Sequence, residues 1–177
     1  MLHRLLPAAA LLASMALPAA AAVFVIADLP QERDIRSELY FAGTRGPVTT
    51  VIRGQAEANT PAAALATVGQ WSQNGRIRFA ADTGNNVADG YFVVFVFNQS
   101  QRIQGEVLCS GKYTPQLAPP GPAFNLSAAF CLRDFPLTSA FGYNHSPGSN
   151  STERLVSAVS TVLFPRGLQR TASAEQM

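Results

Sequence analysis

YFVVFVF, residues 91–97, decides the fold, because its seven side chains are apolar on both faces of an extended chain. A strand of this kind is covered on both sides and lies in the interior of a sheet. Downstream, apolar side chains recur at every second residue from 124 to 132, and a similar alternation runs from 137 to 143. This period of two is typical of strands with one buried face. We therefore expect a sheet with residues 91–97 at its centre.

Further strands are expected on either side of this run. Residues 48–53 alternate and are rich in β-branched side chains, and residues 76–80 indicate another short strand. Residues 23–40 mix an apolar start with a charged stretch, and we expect one short strand near residues 39–42. Residues 104–109 are expected to pair with residues 91–97 as a hairpin.

Two helices are expected to complete the domain. Thr60 and Pro61 provide an N-cap and a first turn, after which Leu65, Val68 and Trp71 repeat at helical spacing. A capping box at residues 150–153 opens the second helix. The order of elements predicts an α+β fold, with a single domain, an antiparallel or mixed sheet of about five to seven strands and two main helices packed on one face.

The first 22 residues have the three regions of a secretory signal peptide. His3 and Arg4 lie in a short basic start, residues 5–17 are apolar, and Pro18 precedes four alanines that offer several cleavage sites. The apolar run is too short to span a bilayer comfortably, although an uncleaved anchor stays as an alternative. We expect a signal peptide at 1–22, one domain at 23–165 and a disordered tail at 166–177.

The amino-acid composition indicates in which compartment the protein works and which classes of partner it does not bind. Charged residues make up 14% of the chain, and Lys112 is the single lysine among scattered arginines. The sequence has no stripe of basic residues, which is the pattern that indicates nucleic-acid binding. The Arg-over-Lys and Ala-rich bias indicates a bacterial genome rich in GC, so we expect a periplasmic or secreted protein. We expect no cofactor, no metal site and, after cleavage of the signal, no transmembrane segment.

Two cysteines in an exported chain predict one disulfide. Cys109 and Cys131 would lie on neighbouring antiparallel strands, where their sulfur atoms can meet. The closed loop of about 22 residues would stabilise the fold by roughly 3 kcal/mol on the chain-entropy model. Two buried free thiols, or one reactive cysteine, stay as alternatives.

A polar turn offers candidate ligands for a calcium ion. Asp82, Asn85, Asn86 and Asp89 carry the kinds of oxygen atom that calcium prefers. Gly84 breaks the alternation of an EF-hand, so a solvated turn is the competing interpretation. The Asp-Thr-Gly triplet that begins at Asp82 also matches aspartic proteases, which need a second such triplet.

Arg45 and Arg53 are candidate contacts for an anion. A guanidinium group binds a carboxylate or phosphate through two parallel hydrogen bonds. Arg53 lies at the end of the strand predicted at residues 48–53, where it could equally pair with Glu57 or Glu38.

His145 is the only histidine beyond the signal region, and it lies in a predicted loop at residues 142–148. It could act as a general base, with Ser139, Ser146 or Tyr143 nearby, although no nucleophile elbow surrounds it. A small periplasmic hydrolase that uses the His145 loop or the Asp82 loop is therefore an alternative function.

Four segments resemble a family of small exported bacterial proteins without assigned function. They are residues 43–54 (GTRGPVTTVIRG), 107–109, 128–131 and 161–165. The resemblance implies a one-domain periplasmic protein with a disulfide, and it implies no active site. Residues 125–164 are also similar in topology to the α/β domain of curli-secretion and penicillin-binding-protein-activator lipoproteins. Those proteins bind partners in the envelope, but their lipid-acceptor cysteine is absent here.

These observations together predict a non-catalytic binding or accessory protein of the bacterial envelope, with an envelope protein as its partner. No catalytic residue is assigned. Besides the hydrolase, a soluble carrier of an apolar ligand is an alternative, because the predicted sheet has a broad apolar face.

Overall fold

The computed structural model describes residues 23–28, 34–71, 77–82, 90–114, 116, 118, 123–145, 148 and 150–165. The predicted signal peptide and the predicted tail therefore lie outside the described residues. In chain order the elements are β1 (Val23–Asp28), α1 (Ile35–Arg45), β2 (Val48–Arg53), α2 (Thr60–Gly69), β3 (Phe79–Ala81), β4 (Tyr91–Phe97), α3 (Gly105–Ser110), β5 (Phe124–Leu132), β6 (Phe135–Asn144) and α4 (Ser151–Leu163).

The six strands form one mixed sheet in the order β1-β6-β5-β4-β2-β3. The strands β1, β6, β5 and β4 pair antiparallel, whereas β2 is parallel to both β4 and β3. The YFVVFVF strand is β4, and it lies inside the sheet as predicted. Its side chains alternate between the two faces, and those from Val93 to Phe97 are at most 1% exposed. The predicted α+β class and the single mixed sheet are confirmed.

The first face of the sheet carries the main core. The two predicted helices, α2 and α4, both pack there, and α1 joins them. Helix α4 contributes Leu155, Val156, Val159 and Leu163, which are all fully buried. Their spacing puts them on one side of the helix, which explains why the sequence pattern identified α4 correctly.

Gly142 of β6 lets α4 approach the sheet closely. A Cβ atom at this position would come within 2.7 Å of both Leu155 Cδ1 and Val159 Cγ2. We expect Gly142→Val to lower the free energy of unfolding by about 1–3 kcal/mol, because extra carbon atoms overpack a filled core. Urea unfolding measures this change. Gly69→Ala is the control, since open space surrounds Gly69 and its unfolding free energy is expected to stay the same or rise.

The strand predicted near residues 39–42 is wrong, because helix α1 occupies residues 35–45. Asp34 caps this helix: its Oδ1 accepts a hydrogen bond from the Arg36 backbone N–H at 3.1 Å, and its Oδ2 accepts one from the Ser37 hydroxyl. Ile35, Leu39 and Ala42 are buried at intervals of four and three residues, which is the spacing of a helix face. The hydrogen bonds of the cap also lower the pKa of the Asp34 carboxyl.

The hairpin partner predicted at residues 104–109 is also wrong, because most of that segment forms helix α3 on the second face of the sheet. Gly105 allows this close approach, since a Cβ atom there would lie 2.7 Å from Ser139 Cβ. Gly111 ends the helix in the left-handed conformation, with φ at +65°. Leu108 and Cys109 of α3 are buried against side chains of β4 and β5.

The predicted cysteine pair is at disulfide distance, but its structural context differs from the prediction. Cys109 and Cys131 have sulfur atoms 1.97 Å apart and Cα atoms 5.6 Å apart. The bridge joins helix α3 to strand β5, whereas two neighbouring strands were expected. It therefore fixes the helix on the second face of the sheet.

Candidate functional site

Strand β1 lies at the edge of the sheet, and β6 is its one partner among the described strands. Val23 and Val25 of β1 pack against the core on the first face. Phe24 and Ile26 therefore point to the second face, because side chains alternate along a strand. Their Cα partners on β6 are Tyr143 and Phe141, respectively. We call Phe24, Ile26, Phe141 and Tyr143 the β1–β6 apolar patch.

The apolar patch is open to solvent. Phe24 is 57% exposed and Ile26 is 36% exposed, while the two aromatic side chains of β6 are half-buried. No side chain of the patch is charged. Apolar residues grouped in this way on a surface are a feature of binding sites for other proteins.

Beside the patch, residues 99–103 and helix α3 cover the second face of the sheet. Asn125 of β5 binds the backbone of Gln99 twice, accepting from its N–H at 3.0 Å and donating to its carbonyl at 2.8 Å. The Ser127 hydroxyl accepts a hydrogen bond from the Ile103 backbone N–H at 3.2 Å. Residues 99–103 and helix α3 thus lie across β5 and the first half of β6, near Pro136 and Ser139, and the patch occupies the second half of β6.

The edge of β1 has few of the features that usually protect an edge strand. Such strands carry proline, lysine or a bulge, which stop another chain from pairing with them. Residues 23–27 (VFVIA) contain neither proline nor a charged residue, the one charged residue of β1 is Asp28 at its end, and β1 pairs with β6 in a regular register. Among the described strands, the other edge of β1 has no partner.

His145 lies at one end of the apolar patch. Its ring contacts that of Tyr143 edge-to-face, with ring centroids 4.3 Å apart, and its side chain is exposed. In the sheet, His145 follows β6 and Asp82 follows β3, four strand spacings away. This separation is about 19 Å, so the two loops do not form one site. The hydrolase alternative gains no convergent pair of residues from the fold.

Arg53 pairs with Asp82, rather than with either glutamate considered from the sequence. The Arg53 Nη2 and Asp82 Oδ2 atoms are 4.0 Å apart, and the two side chains are 54% and 31% exposed. An ion pair this open to water contributes at most about 1 kcal/mol. Glu38 instead accepts a hydrogen bond from the Tyr91 hydroxyl, and Glu57 accepts one from the Ser151 hydroxyl.

Arg45 lies apart from Arg53, so the two candidate anion contacts do not act on one ligand. Arg45 precedes β2, with its guanidinium carbon 4.6 Å from the centre of the Phe41 ring, whereas Arg53 ends β2. The length of the strand separates the two residues by about 16 Å or more. That either arginine contacts an anion stays a prediction.

Of the four candidate calcium ligands, the structure describes Asp82, whose side chain is exposed, while Asn85, Asn86 and Asp89 lie outside the described residues. Within the ranges that are described, no three His, Cys, Asp or Glu side chains are grouped closely enough to hold a metal ion. No helix in the described part of the chain is both long and apolar enough to cross a membrane.

Comparison with known proteins shows no family for this chain. No protein-family model and no curated protein matches it. Among solved structures, a single-substitution variant of PelC from Paraburkholderia phytofirmans, a dodecamer, is similar over 82% of this chain and 99% of its own, with 13% identity and a TM-score of 0.45. A second PelC dodecamer from the same organism is similar over 81% and 96%, with 10% identity and a TM-score of 0.43. Likeness at this level carries no conclusion about function.

Proposed function

We propose that this chain is an exported, non-catalytic accessory protein of the bacterial envelope, which binds an extended segment of a partner protein along strand β1. The observation that carries the proposal is the coincidence of two features in one place. An open strand edge offers backbone hydrogen bonds, and the adjoining apolar patch offers contacts for side chains. Strand addition uses these two contributions together, with affinity from the backbone and specificity from alternate side chains.

The chemistry of the patch defines the partner segment. Phe24 and Ile26 lie on one face at alternate positions, so a strand added beside β1 would put every second side chain against them. We expect apolar side chains at those positions of the partner, because the patch is uncharged. No prolines are expected within the added segment, since each would remove a backbone donor.

The location in the envelope follows from the signal peptide predicted at residues 1–22 and from the Cys109–Cys131 pair, which suits an oxidising compartment. The topological resemblance of residues 125–164 to envelope lipoproteins that bind partners also favours an accessory role. In this proposal β1 begins directly after the expected cleavage site.

Site-specific photo-crosslinking in the native host tests the proposal. A photoreactive residue is placed at position 24 or 26, and at Phe135 as the control, because Phe135 is 50% exposed at the far end of β6. We expect one envelope protein to be crosslinked from positions 24 and 26 but not from 135. The crosslinked peptide should contain alternating apolar residues. Equal crosslinking from all three positions, or none from 24 and 26, would overturn the proposal.

A further inference from the structure

A cavity of about 230 Å³ lies on the second face of the sheet, between helix α3 and the strands β2 and β4. It is distinct from the apolar patch, which lies on β1 and β6. The disulfide holds one of its walls in place, because Cys109 lines the cavity and is bridged to β5. Such a wall makes the cavity largely preformed, as binding sites for small molecules usually are.

Most of the cavity wall is apolar. Val94 and Leu108 are buried, and Val51 and Phe92 are half-buried beside them. An apolar cavity of about 150 Å³ in another protein is large enough for benzene. The present cavity therefore has room for one aromatic ring and a small polar substituent.

Two residues that carry hydrogen-bond donors, Arg53 and Tyr113, line this apolar space, and the Arg53 charge acts on the Tyr113 phenol. Burial raises the pKa of Tyr113, and the nearby Arg53 charge opposes that rise only in part. The phenol thus stays protonated at neutral pH and is able to donate. Two donors beside an apolar wall, one of them positively charged, are suited to an anionic group attached to an apolar body.

The turn after α3 gives Tyr113 its position. Gly111 is in the left-handed conformation and its N–H binds the Leu108 carbonyl at 3.3 Å. The Ser110 hydroxyl then accepts a hydrogen bond from the Lys112 backbone N–H at 3.2 Å. These contacts direct the chain back over the sheet, so that Tyr113 lies across the cavity as a half-buried side chain.

We propose that this cavity binds a small aromatic carboxylate, with its ring against Phe92 and Val51 and its carboxylate between Arg53 and Tyr113. In the structure, the Arg53 guanidinium is paired with the Asp82 carboxylate, with Nη2 and Oδ2 4.0 Å apart. The carboxylate of the ligand replaces Asp82 as the closest anion to the guanidinium. The proposal is independent of partner binding along β1, because the two sites lie on different strands.

The test uses benzoate as the probe and benzamide as its neutral control, with chemical-shift titration of the disulfide-bonded protein. We expect benzoate to shift the signals of residues around the cavity and benzamide to bind about tenfold or more weakly, because the amide has no charge for Arg53. Arg53→Gln should weaken benzoate binding about tenfold or more and leave benzamide binding unchanged.

Two further variants separate the roles of the neighbouring groups. Asp82→Asn should tighten benzoate binding by up to about fivefold, since it removes a competing carboxylate from Arg53. Tyr113→Phe should weaken it, because the ligand loses one donor while the aromatic wall remains. Unfolding curves of all variants confirm that each is folded.

Three results would overturn the proposal. One is an absence of shifts with benzoate up to about 10 mM, which would put the dissociation constant well above that concentration. Another is benzamide binding as tightly as benzoate. The third is an Arg53→Gln variant that is folded and binds benzoate with unchanged affinity.

Discussion

Replacing Phe24 and Ile26 together by threonine is expected to weaken binding of the partner segment about a hundredfold or more. Burial of one large apolar side chain contributes about 1.5–3 kcal/mol, so two side chains buried in the interface contribute about 3 kcal/mol at the least. A loss of that size corresponds to about a hundredfold in the dissociation constant. Threonine is suitable because it favours strands, which keeps β1 intact while removing most of its apolar surface.

Fluorescence polarisation of a labelled peptide, taken from the crosslinked segment, measures this affinity. Phe135→Thr is the matched control, because it removes an equally exposed aromatic side chain from the same sheet but about 20 Å along β6 from Phe141. The control should bind as tightly as the parent chain. Both variants should unfold within about 1 kcal/mol of the parent chain, since the replaced side chains are exposed. Unchanged affinity in the double variant would contradict the role of the patch.

Removal of the disulfide is expected to have the largest effect on stability. Cys109→Ala and Cys131→Ala together should lower the free energy of unfolding by about 3 kcal/mol, as the chain-entropy model predicts for a sequence separation of 22 residues. Both cysteines are also buried, at 5% and 0% exposure, so the lost sulfur atoms leave small gaps in the packing of α3.

Urea unfolding with and without a reductant measures the contribution of the bridge. The reductant should destabilise the parent chain by a similar amount and leave the double variant unchanged. The double variant thereby serves as the control for effects of the reductant elsewhere. If the parent chain were equally stable in both conditions, the bridge would not stabilise the fold.

The central part of the fold was predictable from local patterns. The all-apolar run at residues 91–97 identified β4, because its short length and its aromatic and β-branched side chains favour a strand buried on both faces. A clear apolar face identified α4, whereas the capping box expected at residues 150–153 is not formed, because the Asn150 side chain makes no hydrogen bond to the helix. The cysteine pair followed from their number and from the predicted compartment, without any knowledge of the elements that carry them.

Two helices escaped prediction for different physical reasons. Helix α3 has only six residues, which is too short for a helical period to be visible, and Gly105 has a low propensity for helices. Helix α1 follows a charged stretch that obscured its start, although Asp34 is a favourable N-cap and Ile35, Leu39 and Ala42 have helical spacing. The N-cap and this spacing are enough to predict helix α1 from the sequence.

The candidate site was not predictable, because it depends on pairing between distant parts of the chain. The short apolar run at residues 23–27, rich in β-branched side chains, was visible and could have identified β1 as a strand. The register that places Phe24 opposite Tyr143 joins residues about 120 positions apart, and no local pattern specifies it. Similarly, the Arg53–Asp82 pair results from parallel pairing of β2 with β3, which puts Ala81 opposite Thr50 and so brings Asp82 within reach of the Arg53 side chain.

Residue-resolved hydrogen exchange of β1 tests the proposed strand addition most directly. In an edge strand, alternate backbone N–H groups point away from the neighbouring strand, and a strand added at that edge would bind them. We predict that every second amide of β1 exchanges at least about tenfold more slowly when the partner peptide is bound, whereas the amides of α1 do not change. Unchanged exchange throughout β1, with the peptide demonstrably bound, would contradict strand addition at this edge.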